Sequence, residues 1–330
     1  MNFVDKNISI IDQLYDQADI IIRHKIKNEF LNDKVKYSDD TIKSNNQIDY
    51  WKGVFSGGEV HGSKDSTFEN SIAKLLDFGF NNSYNFFHDQ YKKYLDEEFW
   101  VDDKSFNSQL IKTVIYPYMI RAGYQDNPRI VHYFMARIEA VERTISKYGF
   151  DIFTKADQST KVVFKIDIEN EWLPTIYDLY AFSYYQTDDA QLRDRISKIV
   201  NYLLDDRFQC IPQKAYIFDK SNRRYYAAGN VYHACFRNDR MLLMMQLLSN
   251  VDNIKNNNRF QKELGKLAEY KTDEGFYELD KNLIKEKNNV NYIYSGSHMG
   301  LGENRRSKNW CKIESTYWML KIFKNISVNN

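Results

Sequence analysis

Glu314 is the residue whose neighbourhood most suggests chemistry. On a helix, the side chains three and four positions away are Trp310, Cys311, Tyr317 and Trp318, none of them cationic. A carboxyl turned inward among indoles and a phenol loses hydration without gaining a counter-charge. Its pKa then rises towards neutrality, where a general acid works. The structural alternative is a carboxylate held by loop, Tyr or Arg groups that fixes the terminal helix. Asp178 poses the same question, with Pro174, Thr175, Ala181 and Phe182 as helical neighbours. It either lines a cavity as a buried acid or caps the helix that starts just after Pro174, where the dipole favours a carboxylate. Glu69 is explained by a capping box, Ser66-Thr67-Phe68-Glu69.

Three further stretches carry polar groups in chemically useful combinations. RRYYAAGNVYHACF (223–236) brings Tyr226 and His233 close to Arg223 and Arg224. Tyr beside His can move protons, and Arg can hold a carboxylate or phosphate. His233 is therefore the third catalytic candidate, and a satisfied core histidine is its other reading. His233 with Cys235 is also the one close His/Cys pair, too few ligands for zinc. No metal ligands are assigned, and the cofactor and any metal dependence stay open. WKGVFSGGEVHG (51–62) places His61 in a glycine-rich loop. SGSHMGLGENRRSKNW (295–310) combines Gly296, Gly300 and Gly302 with Arg305 and Arg306 ahead of a helix start. Exposed amides, a helix dipole and guanidinium groups are what an anion site needs. No Gly-Lys-Ser/Thr follows the glycines, so it is not a Walker loop. Its bland counterpart is a connection whose arginines pair with Asp or Glu. His24, His88 and His132 sit on amphipathic helices and need no functional explanation.

The elements that must position these groups are helical. Val131, Phe134, Ile138, Val141 and Ile145 form one apolar stripe, and Leu192, Ile196, Ile199 and Leu203 another, with Asp188 or Asp189 as N-cap. MLLMMQLL (241–248) is apolar nearly all round and must be buried on most sides. Strand signals are brief, at 161–168 and 292–294. About eleven antiparallel helices in a single all-α domain over 1–330 are expected.

Composition narrows the classes. The chain of 330 residues carries a net charge of +1, which gives no global field for nucleic acid. A hydrophobic fraction of 43% supports a real core, yet no run reaches the ~20 residues of a membrane span. Asp5, Asp12, Asp16 and Asp19 interrupt the N-terminal apolar stretches, which argues against a secretory signal. Three scattered cysteines, Cys210, Cys235 and Cys311, suit reduced thiols, so a cytoplasmic setting is expected. Aromatics reach 15%, with 25 Tyr, 21 Phe and 5 Trp, which fit packing and cavity walls alike.

DEGFYEL (273–279) resembles the acidic-Gly-aromatic loop of terpenoid cyclases and protein prenyltransferases. NWCKIESTYWMLKI (309–322) and WLPTIYDLYAF (172–182) resemble the terminal helix of squalene-cyclase-like bacterial proteins. The resemblance implies an α/α toroid, concentric rings of helices around a cavity, and an isoprenoid-like ligand. The motifs of that superfamily's chemistry are missing. There is no Asp-x-Asp-Asp, and Asp205-Asp206-Arg207-Phe208-Gln209 lacks the last acid of Asp-Asp-x-x-Asp.

The leading expectation is acid/base chemistry on an apolar or isoprenoid-like small molecule in an aromatic-lined cavity. Glu314, Asp178 and His233 would be catalytic. His61, Trp172, Tyr226, Arg305, Arg306, Trp310 and Trp318 would bind the ligand. A carbohydrate-active enzyme on an (α/α) barrel is the second reading, with two carboxyls about 5–10 Å apart for a glycosidase or a Tyr–His–Arg cluster for a lyase. A non-catalytic binding or scaffold protein is the third. No nucleic-acid partner and no membrane span are expected, and the oligomeric state stays open.

Overall fold

The computed structural model describes residues 2–100, 105–155, 161–167, 170–210, 212, 214–220, 223–229 and 240–328. The chain is mostly helical, about 60%, with 15 α-helices among the described residues and one small four-stranded sheet. None of these helices is long and apolar enough to cross a membrane. The chain divides into two compact units. The first joins Met1–Tyr84 to Phe236–Asn330, and the second is the intervening Asn85–Cys235.

In the first unit the helices Phe3–Gln17 and Ile20–Glu29 pack against the long helix Trp310–Val328. Met241–Leu248 is buried at all eight positions, as its unbroken apolarity demands. Burying each Leu or Met there contributes about 1.5–3 kcal/mol. Phe68–Asp77 is buried just as completely, although it carries Glu69, Asn70, Ser71, Lys74 and Asp77. The DEGFYEL loop is tied to the terminal helix. The Tyr277 amide donates to Thr316 Oγ1 at 2.9 Å and the Leu279 amide to Ser315 Oγ at 3.0 Å.

In the second unit the stripe on Pro128–Tyr148 turns Phe134, Ile138 and Val141 into the core. Ala190–Leu204 buries Leu192, Ile196, Ile199 and Leu203, and Asp189 is its N-cap, accepting from the amides of Gln191 and Leu192. The sheet departs from the all-α expectation. It consists of β1 (Phe153–Lys155), β2 (Val162–Phe164), β3 (Ala215–Asp219) and β4 (Arg224–Ala227) in that order. β1 and β2 are antiparallel, β2 and β3 parallel, and β3 and β4 antiparallel. These strands have three to five residues, too short for alternation to register in a sequence window. The other strand signal, at 292–294, is a short helix, Tyr292–Ser295.

Candidate functional site

In the first unit the glycine loop is built as an anion site, and the anion is the chain's own Glu314. The Leu301 and Glu303 amides donate to Glu314 Oε1 at 2.8 and 3.1 Å, and Arg305 Nη1 lies 2.8 Å from Oε2. The Arg305 guanidinium stacks over Trp310 with its carbon 3.9 Å from the ring centroid, and Trp318 Nε1 donates to the Met299 carbonyl at 2.9 Å. A Cβ at Gly300 would meet the side-chain ends of Arg305 and Glu286, which would have to shift. Gly302 has φ +82°, and a Cβ there would meet Ile21 Cδ1 at 2.8 Å.

The expectation of a Glu314 without a positive partner is corrected by Arg305, which reaches it from the loop rather than from its own helix. Burial still outweighs Arg305 and the two amides, and the carboxyl is pushed up to about 7. Glu303, whose side chain accepts the Asp19 amide at 2.6 Å, is also raised to about 7, chiefly by burial. Arg306 is exposed and does not join this cluster; its amide donates to Asn304 Oδ1.

The Phe68–Asp77 helix supplies a second polar layer. Lys74 Nζ, with no exposure, lies 2.7 Å from Glu286 Oε1 and donates to the carbonyls of His298 at 2.9 Å and Gly300 at 2.6 Å. Tyr292 donates its hydroxyl to Asp77 Oδ2 at 2.8 Å. The His298 ring lies between Trp51 and Tyr292, with Nε2 3.0 Å from the Val290 carbonyl, which assigns the proton to Nε2. Burial, assisted by Lys74, lowers its pKa to about 3.

His61 does not reach that layer directly. Its Nδ1 is 2.6 Å from Glu69 Oε2, with His61 28% exposed and Glu69 fully buried. The capping-box reading of Glu69 is off by one residue: Thr67 is the N-cap and takes the Asn70 amide. Burial opposes protonation of His61, and Glu69 more than offsets it, raising the pKa above 6.5. Ring-proton NMR titration is expected to show this ordering. His61 should titrate above 6.5, His24 near 4 and His298 near 3. Glu69→Gln should bring only the His61 midpoint down.

In the second unit, Asp178 is both a cap and a counter-ion. It forms a capping box with Thr175 and accepts Tyr116 Oη at 2.6 Å. Arg137 pairs with it through two bonds, Nε to Oδ1 at 3.0 Å and Nη2 to Oδ2 at 2.5 Å. The expectation of an unpartnered buried acid fails here, because the cation comes from a neighbouring helix, Pro128–Tyr148. The carboxyl is pulled below its ordinary range: Arg137, Tyr116 and Thr175 together outweigh burial, the largest single influence. A proton donor is therefore not what Asp178 supplies.

Arg137 also forms part of the wall of an open cleft of about 740 Å³. Aromatic lining comes from Trp100, Tyr133 and Trp172, and charged or polar lining from Lys112, Arg129, His132, Arg143, Gln109 and Asn170. The Trp172 ring lies 4.7 Å from the Arg137 guanidinium carbon. Trp172 lines this cleft as well. Tyr226 sits half-buried on β4. His233 lies outside the described residues.

Each unit brings together its own described candidates. Glu314, Arg305, Trp310 and Trp318 gather around the glycine loop, His61 pairs with Glu69, and Trp172 and Asp178 flank Arg137. Among the described residues no three His, Cys, Asp or Glu side chains converge as a metal site needs. Sequence reasoning missed Arg137, Lys74 and His132. For the first two the available signal was a cation inside an apolar stripe, next to Ile138 and between Ala73 and Leu75. Comparison with known families, curated proteins and solved structures returns no match.

Proposed function

We propose that this chain binds a ring-bearing small molecule in the cleft of its second unit. The observation that carries the reading is the concentration of Trp100, Tyr133 and Trp172 on an open cavity of about 740 Å³, a size typical of small-molecule sites. Flat aromatic faces favour a flat or ring-shaped apolar face, and the polar groups between them would fix its orientation. Amide chemical shifts at 128–143 are expected to move on titration with indole. Trp100→Ala should weaken that binding about fivefold. Shifts scattered over both units, or none, would remove this reading.

A carbohydrate ligand is the second reading. What favours it is that the cleft is open and sets Gln109, His132 and Asn170 beside the aromatic residues. The α/α toroid belongs to the proposal as well: the helical content supports it, and the sheet β1–β4 stands outside such a pattern. Acid/base chemistry on an isoprenoid-like ligand rests on Glu314, whose support is a carboxyl titrating near neutrality. That chemistry needs the 295–310 loop to lift, because Glu314 is fully buried beneath it.

A further inference from the structure

We infer that the cleft of the second unit recognises an oxyanion, a carboxylate or phosphate carried by its ring-bearing ligand, with Arg137 as the recognising group. The inference rests on the reading of the cleft as a binding site and adds the charge of the occupant. Arg137 is 3% exposed and spends Nε and Nη2 on Asp178. Its third nitrogen, Nη1, is buried and has no hydrogen-bond partner among the described residues. A buried guanidinium N–H without an acceptor is costly, and native structures rarely leave one so. Here it belongs to a residue that lines a cavity, so an acceptor on a ligand can satisfy it with a charge-assisted bond.

The charge balance of the cleft points the same way. Among the described residues Arg129, Arg137 and Arg143 line it, with the carboxylate of Glu97 beside Arg129. Glu97 is 86% exposed and stands 3.9 Å from Arg129, itself 45% exposed, so that pair largely cancels at the rim. Asp178 balances Arg137 from behind. Arg143 donates to the Asn170 carbonyl, an uncharged acceptor. Among the described residues, Arg143 therefore adds positive charge to the lining without a carboxylate partner. Asp178, Tyr116 and Thr175 act as positioning residues: they hold Arg137 through its other side. Trp172, stacked on the guanidinium, leaves Arg137 rigid in that place.

The test compares matched probes on the whole protein by isothermal titration calorimetry: benzoate against benzamide, and phenyl phosphate against phenol. At least one anion should bind about tenfold tighter than its neutral partner, and the pair showing the preference names the oxyanion. The paired replacement Arg137→Leu with Asp178→Leu, which removes both charges together, should abolish the preference. In the wild type, the Arg137 side-chain ¹⁵N resonances should shift with the preferred anion and not with its neutral partner, a readout that does not depend on any variant folding. Equal affinities within both pairs would overturn the inference and leave the cleft reading standing. A preference that survives the paired replacement, or an anion that leaves Arg137 unshifted, would overturn the assignment to Arg137. Failure of all four probes to bind would remove the cleft reading and the inference together.

Discussion

Asp178→Ala is expected to destabilise the second unit by about 3–5 kcal/mol, the usual cost of stranding one partner of a buried ion pair. The substitution strips the two bonds from Arg137, the acceptor of Tyr116 and the return bond to the Thr175 amide, all at once. Arg137 is 3% exposed and cannot turn to water without opening the helix packing around it. Urea denaturation, followed separately for the two units by amide signals, reads the loss. The Arg137→Leu, Asp178→Leu pair should be clearly more stable than Asp178→Ala, because two apolar groups leave no stranded charge. A loss below about 1 kcal/mol for Asp178→Ala would mean that the pair is far more hydrated than its burial implies. The pH sign is fixed by the lowered carboxyl. Its contribution is fully present above the ordinary 3.8 and is lost as pH falls through the lower folded value.

The Glu314→Gln variant should change how stability depends on pH. The folded carboxyl titrates at about 7 against an ordinary 4.5, so the folded state holds a proton that the unfolded chain has released. That favours folding below 4.5, and the advantage is lost as pH rises to about 7, by roughly 3 kcal/mol. Gln has no such loss, so the variant should gain that much relative to the wild type across this window. His298 and His24 act in the opposite sense. Their folded values of about 3 and 4 lie below 6.5, so stability rises with pH up to 6.5. The wild-type profile is therefore expected to be flatter than that of the variant. Glu303, also raised to about 7, shares the sign of Glu314 and is coupled to it electrostatically. Denaturation midpoints at half-unit pH steps check this, and parallel wild-type and variant profiles would show that Glu314 is ionised well below neutrality.

The amphipathic helices were legible because their periodicity is a direct trace of burial: the Phe134, Ile138 and Val141 stripe and the Asp189 cap lie where spacing puts them. The environments of the acids were not. Helical neighbours report one side of a residue, and the cations that settle Glu314 and Asp178 arrive from nine positions upstream and from a different helix, Arg305 and Arg137. The glycine loop carries amides and arginines suited to negative charge, and the packing shows its structural alternative, Arg305 paired with a carboxylate of the same chain; spacing cannot say whether the charge comes from outside or from thirteen residues further along. The cleft was missed because His132 reads as an ordinary member of an amphipathic helix, and Arg137 lies beside the apolar stripe of the same helix. Only the packed structure shows which part of that helix meets Trp100 and Trp172.

The split of the first unit around Asn85–Cys235 also governs the order in which the chain can acquire its structure. During synthesis the second unit emerges as one uninterrupted stretch and can close on local contacts. The Phe3–Gln17 and Ile20–Glu29 helices must wait until Trp310–Val328 leaves the ribosome before they find their packing partner. The faces they turn to that helix stay uncovered for that whole interval, so this half of the molecule is the slower to mature.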